Sequence, residues 1–252
     1  MANLSCRMAG ITLLTLTFAV WDASGSFARA QQPDDEPAAI ADEKIPPAKK
    51  KYKGREIAVT MHYLGAPWLV RESRQREEDC AMLLSALGPK PGQVVCDLGC
   101  GNGFYTLQLA QMVGEQGKVL AVDIQPEMLH LLSERAREAH IENIETILGT
   151  ATDPKLSAES VDLILVVDVY HELSHPEPML KALRRALRPG GRIALVEFRL
   201  EDPNVPIKLL HKMSKKQIMK EFPPNGFKLV EQFDKLPWQH LMFFERSGEP
   251  RP

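Results

Sequence analysis

The sequence predicts an α/β fold with a doubly wound, mostly parallel sheet and an antiparallel strand pair at its C-terminal end. Three observations lead there. Apolar runs at 94–97, 118–123, 144–148, 161–167 and 192–198 alternate with helix-like stretches, as a parallel sheet with crossover helices requires. The first run ends in Asp97 and is followed by Gly99, Gly101 and Gly103 at alternate positions, a tight turn opening into an apolar helix over 104–113. Two late strand-like segments, Phe227–Phe233 and Gln239–Arg246, are linked through Leu236-Pro237-Trp238 and would close the sheet.

The glycine turn lies where a ligand can rest against backbone N–H groups at the start of a helix. Its spacing, D-x-G-x-G-x-G, differs from the G-x-G-x-x-G of dinucleotide loops, whose last glycine would fall at Phe104. A carboxylate just before the turn would repel a pyrophosphate but suits an ammonium group. The next strand, Val119-Leu120-Ala121-Val122, ends in Asp123, and an acid at that tip is placed to accept both hydroxyls of a ribose. The two acids bracket a ligand with an amino acid at one end and a nucleoside at the other.

Four segments in order, VCDLGCGNGFYT, VLAVDIQPEML, VDLILVVDVYHEL and ALRPGGRIALVEF, resemble the signature segments of class I S-adenosylmethionine-dependent methyltransferases. The resemblance covers roughly 93–198 and is nearest to the small-molecule branch that includes the quinone-biosynthesis C-methyltransferases. It implies a Rossmann-like fold, S-adenosyl-L-methionine as cofactor, and methyl transfer to a small-molecule or lipid-like acceptor by in-line displacement. Alternatives from other classes are a donor-binding module without catalysis and an NAD(P)-dependent oxidoreductase.

Taken from its start, the chain of 252 residues suits one α/β domain with extensions; 44% hydrophobic and 25% charged residues are ordinary globular values. A formal net charge of −2 leaves no basic excess to draw it to nucleic acid. Residues 1–30 read as a signal peptide: Arg7 gives a positive start, 9–21 is apolar, and Ala28-Arg29-Ala30 fits a cleavage site, so Gln31 would begin the mature chain. The apolar run is short of the roughly 20 residues that span a bilayer. Export to the periplasm or medium is expected, with an uncleaved membrane anchor as the alternative. Residues 31–53, rich in proline, alanine and charge, read as a disordered linker, and Lys49, Lys50, Lys51, Lys53 and Arg55 as its solvated basic end. Beyond Cys6 in the leader the cysteines are Cys80, Cys96 and Cys100, an odd number without metal-ligand spacing. They read as unpaired small apolar side chains, and no metal is expected.

Residues 54–92 precede the domain at 93–246, and 247–252 form a tail. A helix from Glu72 onward would bury Cys80, Leu83, Leu84 and Leu87, with Arg71, Arg74 and Arg76 in solvent. By the resemblance, Met61, His62, Tyr63 and Trp68 form part of a lid; on the plainer view they pack the leading helix onto the sheet. The resemblance assigns the donor to Asp97, Gly99, Gly101, Gly103 and Asp123, with Ile124 against the adenine and Cys100 in a loop position often held by cysteine. The loop GTATDPKLSAES departs from the family pattern, since Thr150 stands where an acid is usual. Thr150 and Ala151 are taken for the adenine contact, with Asp153 as a substitute.

Asp168, at the end of the fourth strand, would approach the methionine half of the donor, and Tyr170, His171 and Glu172 would face the acceptor. The His171–Glu172 pair either takes a proton from the acceptor or holds the loop through backbone hydrogen bonds. A helix over 176–187 would bury Met179, Leu180, Leu183 and Leu187 and expose Arg184, Arg185 and Arg188. Glu197 and Arg199 fall at the pocket rim, and 207–222 reads as an amphipathic helix carrying His211. The acceptor, the atom methylated and the oligomeric state are not legible.

Overall fold

The computed structural model describes residues 45–248, so the signal peptide, most of the linker and the end of the tail lie outside the described residues. Among the described residues ten strands and seven α-helices follow in chain order. A two-stranded hairpin, β1 (Lys51–Tyr52) and β2 (Arg55–Glu56), leads into α1 (Ala66–Leu69), α2 (Arg74–Glu78) and α3 (Cys80–Leu87). Then come β3 (Val94–Leu98), α4 (Phe104–Val113), β4 (Lys118–Asp123), α5 (Pro126–Glu138), β5 (Ile144–Leu148), β6 (Val161–Val167), α6 (Pro176–Ala186) and β7 (Leu187–Arg199). The last described elements are β8 (Lys212–Met213), α7 (Lys215–Glu221), β9 (Phe227–Phe233) and β10 (Gln239–Arg246).

The main sheet runs β5-β4-β3-β6-β7-β10-β9, with β8 beside β7. Pairing is parallel from β5 through β7, while β10 is antiparallel to both β7 and β9. The central strands are apolar on both faces because helices cover both. Cys96, Leu98, Ile164, Val166, Ile193 and Leu195 pack on the α6 side with Met179, Leu180 and Leu183. The residues between them, Val95, Leu163, Leu165, Ala194 and Val196, pack with Leu83 and Leu87 of α3 and Leu109 and Val113 of α4. The strand order reverses between β3 and β6, and an α/β sheet opens its ligand crevice at such a switch point.

Several expectations are corrected. The basic end of the linker is ordered: it forms the β1–β2 hairpin, and Lys49 pairs with Glu177. The leading helix is two helices, broken at Asp79, whose φ of 50° is left-handed and whose side chain caps α3 by accepting from the Met82 amide. Arg74 is 4% exposed rather than solvated. It bonds Glu78 and the Leu69 carbonyl and lies over the rings of Phe104 and Tyr105. Arg184 is half-buried, donating to the Gly226 and Ser247 carbonyls. The stretch 207–222 is a short 3-10 turn (Leu209–His211), then β8, then α7, with Leu209 and Leu210 exposed. Cys80, Cys96 and Cys100 are buried free thiols. Among the described residues no helix is long and apolar enough to cross a membrane.

Candidate functional site

A cavity of about 480 Å³ opens at the carboxyl ends of β3, β4, β6 and β7. Its size suits a small organic ligand. The floor is the glycine turn. A Cβ at Gly99 would stand 2.5 Å from Val169 Cγ2, and one at Gly101 2.6 Å from Leu69 Cδ1; both residues have positive φ, so only glycine fits. Asp123 lies in the wall. Its Oδ2 accepts from the Gly101 amide at 2.9 Å and its Oδ1 from the Gln125 amide at 2.9 Å, which fixes the carboxylate and leaves a lone pair on each oxygen. Ile124, Thr150 and Ala151 line the same end. Asp153 does not; its carboxylate accepts from the Lys155 amide.

Asp168 also lines the cavity, in a left-handed conformation with φ of 53°. Gln239 donates to its Oδ2 at 2.6 Å, while its Oδ1, buried, has no hydrogen-bond partner among the described residues. A buried polar group in a cavity wall without a partner is available to a cationic or hydrogen-bonding ligand. Burial, with Glu78 and Glu197 nearby, pushes its carboxyl well above the usual range.

Four expected site residues lie behind the wall. Cys100 turns into the packing of α5, against Leu129 and Leu132. Gly103 starts α4, with Leu132 filling the space a Cβ would need. Asp97 is 4% exposed and accepts from Thr106 Oγ1 at 2.6 Å. Tyr170 does not face the acceptor: it packs on Phe222 and donates its hydroxyl to Glu221 at 2.8 Å.

Burial raises the Asp97 carboxyl to about 6; the Thr106 hydrogen bond opposes this and the Asp123 charge adds to it. In the folded chain Asp97 therefore holds its proton at pH values where the unfolded chain has lost it. Its contribution to stability is full below about pH 3.8 and is lost as pH rises to about 6. That rise corresponds to about 3 kcal/mol. Asp97→Asn is expected to remove this loss, so denaturant midpoints of the two proteins, compared at pH 4 and 7.5, should diverge in favour of the variant at the higher pH.

At the opposite end, His171 Nδ1 donates to Glu197 Oε2 at 2.7 Å, and Glu197 is fully buried. Burial alone would lower the His171 pKa, but the Glu197 charge and hydrogen bond outweigh it and raise the value. The other ring nitrogen, Nε2, shares a hydrogen bond with His211 Nδ1 at 3.1 Å. Burial raises the Glu172 carboxyl to about 7; its Oε2 accepts from the Met61 amide at 3.3 Å. Arg55 holds this turn from behind, bonding Glu221 at 2.8 Å and the His171 carbonyl at 3.0 Å.

The segment before β3 contributes wall as well. Thr60, Met61, Trp68, Leu69 and Arg74 line the cavity, whereas His62 and Tyr63 do not. Gln125 ties it down, accepting from the Tyr63 amide at 2.8 Å and donating to the Met61 carbonyl at 2.9 Å. Sequence reasoning missed Arg74, whose amphipathic position pointed to solvent. It carried His211 only as a helix residue, because nothing in linear spacing brings residues 171 and 211 together.

Residues 89–242 match the family described as a methyltransferase domain. A ubiquinone/menaquinone biosynthesis C-methyltransferase from Vibrio vulnificus is 31% identical over 112 residues, 44% of this chain and 43% of that protein. An arsenite methyltransferase from Halobacterium salinarum is 36% identical over 105 residues, covering 42% of this chain and 27% of that one. The chain thus spans about half or less of the length of the curated relatives it matches. Among solved structures, a SAM dependent methyltransferase from Aquifex aeolicus superposes with a TM-score of 0.69 at 26% identity, covering 73% of this chain and 98% of the other. With the family matched over most of its length and the fold shared, the chain belongs to the methyltransferase domain family.

Proposed function

We propose that the chain transfers a methyl group from S-adenosylmethionine to a small or lipid-like acceptor. One observation carries this reading: a single cavity joins a donor end, with Asp123, Gly99, Gly101 and the orphaned Asp168 carboxylate, to an acceptor end with His171 and Glu172. The donor, when bound, supplies an electrophilic methyl carbon. Asp123 would hold the ribose hydroxyls through its free lone pairs, and Ile124, Thr150 and Ala151 the adenine. The Asp168 carboxylate, in the same wall, would receive the ammonium group. Asp97, one layer behind, supports the turn through Thr106 and contributes negative charge rather than contact. The acceptor end offers His171 Nε2, braced by Glu197, to activate the nucleophile. Leu173, Met179, Phe198 and Ile207 give it apolar walls that exclude water and suit an apolar acceptor body.

Calorimetry on the purified chain should show binding of S-adenosylmethionine and its demethylated product, and none of nicotinamide dinucleotides. Labelled methyl should then pass into a small-molecule or lipid fraction of a cell extract. Binding without transfer to any fraction would leave a donor-binding module; nicotinamide binding alone would overturn the reading. His171→Ala is expected to lower turnover by about 10²-fold or more while leaving the donor Kd unchanged.

A further inference from the structure

We propose that His171, Glu172 and His211 form a divalent transition-metal site in the acceptor end of the cavity, and that the acceptor is a small molecule with two neighbouring oxygen donors. Three atoms define it: His171 Nε2 and His211 Nδ1 are 3.1 Å apart, and Glu172 Oε1 lies 3.8 Å from the first and 3.7 Å from the second. A point equidistant from all three is about 2.1 Å from each, the bond length that imidazole nitrogen and carboxylate oxygen make to such ions. No side chain has to move far to close on an ion.

The groups behind these ligands point the same way. His171 Nδ1 donates to the buried Glu197 carboxylate, which turns Nε2 toward the cavity, and the Met61 amide holds Glu172 Oε2 so that Oε1 faces the imidazoles. A carboxylate orienting a histidine through its far nitrogen is the usual outer support of a metal ligand. Without an ion, one proton between Nε2 and Nδ1 can satisfy both rings; an ion would replace it and take over from Nε2 the activation of the acceptor. Two imidazoles and one carboxylate suit zinc, iron, manganese or cobalt better than magnesium or calcium.

All three ligands line the cavity, so the remaining coordination positions open onto the acceptor space. Three protein ligands with open positions characterise a reactive rather than a structural site. Two adjacent oxygens of an acceptor would fill those positions, and the ion would favour loss of a proton from one of them to water. This second half rests on the methyltransferase reading; ion binding does not.

The test titrates metal-stripped, untagged full chain with cobalt(II) chloride. One equivalent should bind, with visible absorption of a low-coordinate centre. His211→Ala and Glu172→Gln should weaken binding at least tenfold, and Glu197→Gln by about 10- to 100-fold. His130→Ala, an exposed histidine on α5, should change nothing. Catechol should alter the cobalt spectrum and phenol should not. No stoichiometric cobalt binding, or binding equal in His211→Ala, Glu172→Gln and the parent, overturns the site; a spectrum indifferent to catechol overturns the acceptor class. Parallel calorimetry with S-adenosylmethionine separates the failures: donor binding without cobalt binding rejects the metal site alone, and loss of both rejects the methyltransferase reading as well.

Discussion

Asp123→Ala should weaken S-adenosylmethionine binding by about 10- to 100-fold. Two effects add. The carboxylate is the acceptor proposed for the ribose hydroxyls, and charge-assisted hydrogen bonds of this kind contribute roughly 1.5–3 kcal/mol. It also joins two loops, since the Gly101 and Gln125 amides both donate to it at 2.9 Å. Alanine leaves both amides without their acceptor and loosens the floor and the adenine end together. Asp123→Asn separates the contributions, because it keeps one acceptor oxygen and loses the charge. Calorimetric titration reads the result directly, and an unchanged Kd in Asp123→Ala would reject the assignment.

Arg55→Met should cost about 3–5 kcal/mol of stability, the usual consequence of stranding a buried charge. Glu221 is fully buried, and its carboxylate is met by Arg55 Nε at 2.8 Å, Tyr170 Oη at 2.8 Å and Gln217 Nε2 at 2.7 Å. Of these only Arg55 is positively charged. Glu221 exposes no surface, so the methionine variant buries a carboxylate without its cation. The double variant Arg55→Met, Glu221→Gln should recover much of the loss, because the stranded charge is gone. Urea midpoints at constant slope measure both. Equal midpoints for the parent and Arg55→Met would show that the pair contributes nothing. Arg55 also donates to the His171 carbonyl, so the single variant should lose turnover before it unfolds.

The parallel core was legible because doubly covered strands read as unbroken apolar runs. Phe104–Val113, Lys118–Asp123, Ile144–Leu148 and Val161–Val167 all lie at the expected bounds. The antiparallel pair Phe227–Phe233 and Gln239–Arg246 was equally clear. Both cavity acids at strand ends, Asp123 and Asp168, followed from topology, since such a sheet presents its ligands there. What stayed hidden depends on partners distant in sequence. Arg74 is buried because Glu78, Phe104 and Tyr105 surround it, not because of its own neighbours in a helical pattern. Tyr170 sits beside His171 in sequence, yet a 3-10 turn sends the two side chains to opposite sides of the loop wall. His211 needed the β7–β8 connection to bring it back over His171.

The three thiols carry a consequence for handling. Cys80, Cys96 and Cys100 are at most 7% exposed, and burial pushes the Cys96 and Cys100 thiols well above their ordinary value. Exchange proceeds through the thiolate, so these groups are slow to react with oxidants or glutathione while the chain stays folded. Among the described residues the cysteines thus keep one covalent form in air and under reductant alike, and this part of the fold owes nothing to cross-links.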